Sequence, residues 1–259
     1  MSAVVDTCAF CPKLCRHVCP VSVATYAESA TPTAIVGVIR LGQGGLVDAA
    51  LVDEALGLCN GCGACSRACA LSMDVAGFLR ECHSAPGAES LPTLPAGADT
   101  VWVEEANPKD PRSSMGSSWP AEVVVTPDAL GYAAWRAGET ARLGLVARHF
   151  AGRRVRTGSL AVSELLAAAG VPVEALAAPP LPARFVTCYE GADGKDGQLT
   201  CCGAREGFER AHTATASAMG AEAARRMAGL PHAVADTHCA AWLRCHGADA
   251  RGPDAHVRR

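Results

Sequence analysis

The sequence predicts an α+β, multi-domain protein: a mainly helical unit over residues 1–85, a proline-rich linker over 86–120, and an α/β domain with a largely parallel sheet over 121–259. Three observations carry this. Helix start and stop signals surround two dense cysteine runs in the first third of the chain. Prolines at 86, 92, 95, 108, 111 and 120, interleaved with Gly, Ser and Asp, interrupt regular structure after it. Beyond Pro120, short β-branched runs alternate with alanine- and leucine-rich helical stretches, the pattern of a sheet whose strands are joined by helices.

Between the cysteine runs, Thr31 and Pro32 form a helix start, Gly42 to Gly45 a break, and Leu46 to Leu58 a second apolar-periodic helix. "MDVAGFLRECHSAP" reads as one more short helix, stopped before Pro86. Within the linker, "TVWVEE" has the alternation of a short strand. "AEVVVTPDAL" is an apolar run bounded by turn residues, hence a buried strand. Further on, the pattern gives a helix over 159–169, strands in "VPVEAL" and "ARFVTCYE", a long alanine-rich helix over 208–228 and a strand in "HAVAD".

The chain has 259 residues, 19% of them charged, and a formal net charge of −3, a balance that points to neither nucleic acid nor an anionic membrane surface as partner. Its 14 cysteines set it apart. "MSAVVDTCAF" has no basic segment and no apolar core of a secretory leader, so the thiols read as reduced groups and metal ligands in a cytoplasmic protein. The most apolar window, "LAVSELLAAAGVPVEALAAPPL", is broken by Glu164, Glu174 and several prolines, so no transmembrane segment is expected, and membrane association would run through a partner.

"CNGCGACSRAC" places Cys59, Cys62, Cys65 and Cys69 in the CxxCxxCxxxC spacing of a bacterial [4Fe-4S] ferredoxin run, whose fourth cysteine ligates a second cluster. The partner run this demands is "CAFCPKLCRHVCP", with Cys8, Cys11, Cys15 and Cys19. Exchange of the fourth ligands assigns Cys8, Cys11, Cys15 and Cys69 to one [4Fe-4S] cluster, and Cys59, Cys62, Cys65 and Cys19 to the other. Gly61 and Gly63 let backbone N–H groups approach the cluster sulfurs. Two departures stand out. Three residues separate Cys11 from Cys15 where the usual run has two, and Ala70 follows Cys69 where Pro20 follows Cys19. Paired CxxC motifs also suit zinc, although a tetrahedral site made from two pairs leaves the third and fourth cysteines of each run without a role. His17 reads as a solvated helical residue and Cys82 as a core thiol.

A second constellation lies towards the C-terminus: Cys188 in "VTCYE", Cys201 and Cys202 in "TCCGARE", and Cys239 and Cys245 in "DTHCAAWLRCH". These five are candidate ligands for a third cluster or a zinc ion, or else free thiols. Gly203 supplies the freedom that adjacent cysteines need if both are to serve one site. The expectation is that Cys188, Cys201, Cys202 and Cys239 converge on one pocket, with Cys245 a fifth member. "LGQGGL" follows no strand and lacks the GxGxxG order, so no flavin or nicotinamide site is expected in this chain.

A double ferredoxin run followed by a "CCG" segment resembles the iron-sulfur subunits of the heterodisulfide reductase, glycolate oxidase and anaerobic glycerol-3-phosphate dehydrogenase group. The resemblance implies an all-helical two-cluster ferredoxin domain joined to a CCG-type cysteine-rich domain. It also implies electron transfer between a flavoprotein subunit and a further acceptor or donor, within an oxidoreductase complex. The group usually has two CCG segments and this chain has one; "VVVTPDALGY" looks like the start of another copy, with Ala129 where a cysteine would stand. Two other functions remain open on the residues: catalysis on a thiol or disulfide at the Cys201–Cys202 site, as in heterodisulfide reductase, and a zinc-binding or redox-responsive regulatory protein.

Overall fold

The computed structural model describes residues 3–11, 14–82, 91–105, 122–125, 130, 132, 140–181, 183–185, 187, 201–204 and 208–253. In chain order the helices are α1 (Ala3–Cys8), α2 (Pro20–Thr25), α3 (Pro32–Gln43), α4 (Ala49–Gly57), α5 (Ala64–Arg67), α6 (Val75–Cys82), α7 (Leu143–His149), α8 (Leu160–Ala168), α9 (Phe208–Ala211), α10 (Thr213–Arg226) and α11 (Thr237–Cys245). The strands are β1 (Thr100–Glu105), β2 (Glu122–Val125), β3 (Arg154–Thr157), β4 (Val173–Ala175), β5 (Ala183–Phe185), β6 (His232–Val234) and β7 (Ala250–Arg251). The chain divides into two compact units, residues 1–84 with 186–223, and residues 85–185 with 224–259. None of the helices among the described residues is long and apolar enough to cross a membrane.

In the first unit the helix signals act as their chemistry requires. Thr31 is the N-cap of α3, its hydroxyl accepting from Ala34 N at 3.2 Å, and Pro32 occupies the first helical position, where no N–H is needed. Asp48 caps α4 through Leu51 N at 2.9 Å, so this helix begins three residues after Leu46, at Ala49. The buried face of α3 presents Ile35, Val36 and Ile39 to Ala55 and Leu56 of α4 and to Val75, Ala76 and Leu79 of α6. Cys8 and Cys65 belong to the same core, and Cys82 packs against it, in keeping with a core thiol. His17 lies exposed in a 3₁₀ turn over Leu14–His17.

Every strand pairing in the second unit is parallel. One sheet has the order β2-β1-β3-β4, the other β5-β6-β7. β1 lies within the proline-rich interval 86–120, which therefore contributes an interior strand. Val101, Trp102 and Val103 are all fully buried, as successive residues must be when both faces of a parallel strand are covered. Helix α8 has Ser159 as its N-cap, and its Leu165 and Leu166 are buried. The long alanine-rich helix, most of which belongs to the first unit, is interrupted at His212, giving α9 and α10. The buried positions Ala216, Met219 and Ala223 recur at helical spacing along α10.

A single carboxylate organises the start of two helices in this unit. Asp236, fully buried, accepts from Cys239 N in the first turn of α11 and from Leu160 N at the start of α8, both at 2.8 Å. Two amide donors and two positive helix ends compensate its burial.

Candidate metal centre

The first run enters the core from α1. Cys8 ends that helix, Cys11 follows a turn in which its N–H donates to Cys8 O at 3.2 Å, and Cys15 sits in the 3₁₀ turn. Cys19 is the residue before α2, with an extended backbone, and Pro20 opens the helix directly. The second run is built differently. Cys59 leaves α4, Gly61 and Gly63 both adopt positive φ (68° and 79°), and α5 carries Cys65. A Cβ at Gly63 would also stand 2.7 Å from Arg67 Nη1.

After Cys69 no helix follows at once. Ser72 N donates to Cys69 O at 3.1 Å, and Ser72 itself turns the chain at φ 54°. Asp74 then accepts from Gly77 N at 2.9 Å and from Ser66 Oγ at 2.8 Å, while Ser66 Oγ accepts from Ala76 N at 2.7 Å. The chain redirection that Pro20 performs after the first run is thus performed after Ala70 by a left-handed turn and a side-chain clasp between α5 and α6. The hydrogen bond from Gly77 N, with that from Ser66, holds the Asp74 carboxyl below its ordinary range despite partial burial.

Electrostatics shows which thiols are neighbours. Burial, then the sulfurs of Cys15, Cys69 and Cys11, push Cys8 up to about 11. Cys65 is driven well above the ordinary thiol range by burial, then by Cys59, Cys62 and Cys19. Cys19 is pushed up to about 11, chiefly by burial; backbone hydrogen bonding to Ser22 and Val21 opposes this, while Cys59 and Cys15 add to it. Cys15 is raised by burial, against a hydrogen bond with Thr33 at 3.8 Å, with Cys11 and Cys69 adding to the shift. The thiols therefore fall into two groups, Cys8, Cys11, Cys15 and Cys69, and Cys19, Cys59, Cys62 and Cys65. Cys15 also acts on Cys19 and Cys65, so the groups adjoin.

The second group lines one cavity, closed by Val21, Ile35, Leu79 and Asn60. Thiols that repel one another's charge in a buried setting stay protonated until a cation replaces the protons, which is the condition of a metal site before loading. No three Cys, His, Asp or Glu side chains among the described residues are placed to share one metal ion. A cubane needs no such convergence, because each of its irons takes a different thiolate.

Residues 4–73 match the family model of the 4Fe-4S dicluster domain. The N-terminal region is an iron-sulfur, ferredoxin-type domain. The match ends at Met73, just after the last cysteine of the second run, and gives the chain an iron-sulfur electron-transfer role. No curated protein and no solved structure matches the chain.

The C-terminal cysteines fall in different units of the chain. Cys201 and Cys202, both buried, belong to the first unit with the ferredoxin-type domain, whereas Cys239 and Cys245 belong to the second. Cys188 lies outside the described residues. α11 carries Cys239 and Cys245 six positions apart, which at 100° per residue puts them about 120° apart around the helix; the first is buried and the second exposed. β5 and β6 run parallel, as expected for the strands preceding Cys188 and Cys239. Gly203 has φ 95°, and a Cβ there would meet Ala216 O of α10 at 2.7 Å, so the glycine of the CCG segment is required by helix packing as well as by the turn.

Asn60 is the residue that reading the sequence for ligands passes over. It is 6% exposed, and its side chain joins Cys62 N, 3.3 Å from Oδ1, to Cys201 Sγ, 3.1 Å from Nδ2. The available signal was an asparagine inside a CxxC turn, able to fold back on its own backbone two residues on.

Proposed function

We propose that this chain is the iron-sulfur electron-transfer subunit of a flavin-linked oxidoreductase complex, passing electrons through two [4Fe-4S] clusters. Cys8, Cys11, Cys15 and Cys69 hold one cluster, and Cys19, Cys59, Cys62 and Cys65 the other. The observation that carries the reading is the interleaving of the two runs: Cys19 of the first run lines one cavity with Cys59, Cys62 and Cys65 of the second, while Cys69 of the second acts on Cys8 together with Cys11 and Cys15. That is the ligand exchange of a two-cluster ferredoxin and has no counterpart in a pair of independent zinc sites.

Adjacency of the groups supports electron passage from one cluster to the next. The absence of a dinucleotide fingerprint from the sequence is the reason for assigning the flavin to a partner subunit, and a further donor or acceptor completes the path. The CCG segment and the parallel sheets favour a place near the heterodisulfide reductase and glycolate oxidase group.

Anaerobically purified protein is expected to contain about eight irons and eight acid-labile sulfides. Cys19→Ser is expected to alter the paramagnetic signal of the cluster at Cys59, Cys62 and Cys65 and to spare the other. Stoichiometric zinc without iron, or one signal damaged by both Cys19→Ser and Cys11→Ser with the other untouched, would overturn the assignment.

A further inference from the structure

The side chain of Asn60 has a fixed orientation. Its Oδ1 accepts from Cys62 N, and turning the amide over would set its NH₂ against that N–H donor. Nδ2 must therefore face Cys201, whose sulfur receives this hydrogen bond at 3.1 Å and a longer one from Gly203 N at 3.5 Å. A sulfur that receives N–H donors in a buried setting is sensitive to them, because each donor stabilises electron density on the sulfur. Cys201 is 2% exposed and Cys202 fully buried, so solvent does not compete for these bonds.

Asn60 also stands between two ligands of one group, Cys59 and Cys62, and lines the cavity that those ligands share with Cys19 and Cys65. The Cys62 amide it anchors belongs to the ligand loop itself. A change at Cys201 that alters the demand on Nδ2 reorients the carboxamide dipole and the ligand turn together. The link spans 141 residues of sequence yet consists of one side chain.

We propose that Asn60 is a positioning residue that couples Cys201 to the cluster held by Cys19, Cys59, Cys62 and Cys65, so that the chemical state of Cys201 sets the reduction potential of that cluster. The inference rests on the reading that these four cysteines hold a cluster. Coupling of this kind is reciprocal: whatever binds Cys201 changes the cluster, and the cluster's charge changes what Cys201 binds. Electrons entering or leaving past Cys201 would thus meet a cluster already tuned to the occupancy of that thiol. The other cluster, whose ligands Asn60 does not touch among the described contacts, keeps its potential.

The test uses the full-length, iron-loaded chain and a spectroscopic redox titration in which the two clusters are resolved by their paramagnetic signals. Asn60→Leu and Cys201→Ala are each expected to change the reduced-to-oxidised ratio of one cluster at fixed ambient potential by about threefold to tenfold, the equilibrium weight of one hydrogen bond. Both must act on the same cluster, the one perturbed by Cys19→Ser. The double variant is expected to shift no further than Asn60→Leu alone, because the two changes remove one link. Additive shifts, shifts in different clusters, or an unaltered ratio in Cys201→Ala would each overturn the coupling. If Asn60→Leu fails to assemble the cluster, Cys201→Ala still decides, since it removes neither a proposed ligand of that cluster nor the Asn60 side chain that accepts from Cys62 N. Wild-type protein lacking iron would sink the electron-transfer reading instead, and iron analysis made before the titration separates the two failures.

Discussion

The two units of this chain are held together by different chemistry. In the second unit, interior β1 is buried through Val101, Trp102 and Val103, and Asp236 ties the starts of α8 and α11 with two short hydrogen bonds. In the first unit the helices that carry or flank the cysteine runs are short: α1, α2 and α5 have six residues or fewer, below the length at which a helix persists alone. Its core includes Cys8 and Cys65, thiols driven up by burial and by other cysteines of the two runs. One unit closes on hydrocarbon and backbone pairing, while the other sets buried thiols of an iron-sulfur domain into its hydrocarbon core.

The sharpest way to break this contrast is to remove the metal. Iron chelation is expected to abolish hydrogen-exchange protection over α1 to α6 while leaving β1, β3 and α8 protected, since metal binding and folding share one free energy. Equal loss in both units would show that the first does not depend on its clusters.

The reverse experiment attacks the second unit. Asp236→Ala strips one buried and one half-buried amide of their acceptor and is expected to cost about 3 kcal/mol, read from chemical unfolding of the sheet-containing unit. Iron content should stay unchanged, and a loss of clusters in this variant would erase the distinction.

Gly203→Ala returns the attack to the first unit without touching a ligand. The added Cβ meets the α10 backbone at Ala216, and φ 95° is strained for alanine, so a loss of about 3 kcal/mol is expected. Thermal unfolding monitored through cluster absorbance measures it.

A smaller effect comes from the clasp after the second run. Asp74→Ala is expected to cost about 1 kcal/mol, as for a lost helix cap. The Asp74 carboxyl lies below its ordinary value when folded, so its contribution is complete above the unfolded value and is lost as pH falls through the folded one. The difference in thermal midpoint between wild type and variant should be full at about pH 6 and narrow only below about pH 4. At the bottom of the scale, Arg156→Ala removes the exposed 2.8 Å pair with Glu174 across β3 and β4 and is expected to change stability by less than about 0.5 kcal/mol.

Cysteine spacing in the sequence determined the iron-sulfur chemistry, because the distances between thiolates around a cubane translate directly into short intervals along the chain. Local caps were equally legible: Thr31 and Pro32, Ser159, and the glycines after α3 act where their short-range chemistry places them. α11 has no counterpart among the elements the sequence predicts although Asp236 is an ordinary N-cap, because its first seven residues are all buried and polar and apolar positions do not alternate at helical spacing. β3, "RVRT", offers too few apolar residues to announce itself, and only pairing with β1 and β4 makes it a strand. What tertiary structure alone decided is the company kept by the CCG segment. Residues 201–204 join the ferredoxin-type unit through Asn60 and through Gly203 against Ala216, contacts between residues far apart or in different elements. A local pattern records which residues can bend, cap or bind, but a contact across 141 residues leaves no mark in the sequence around either partner.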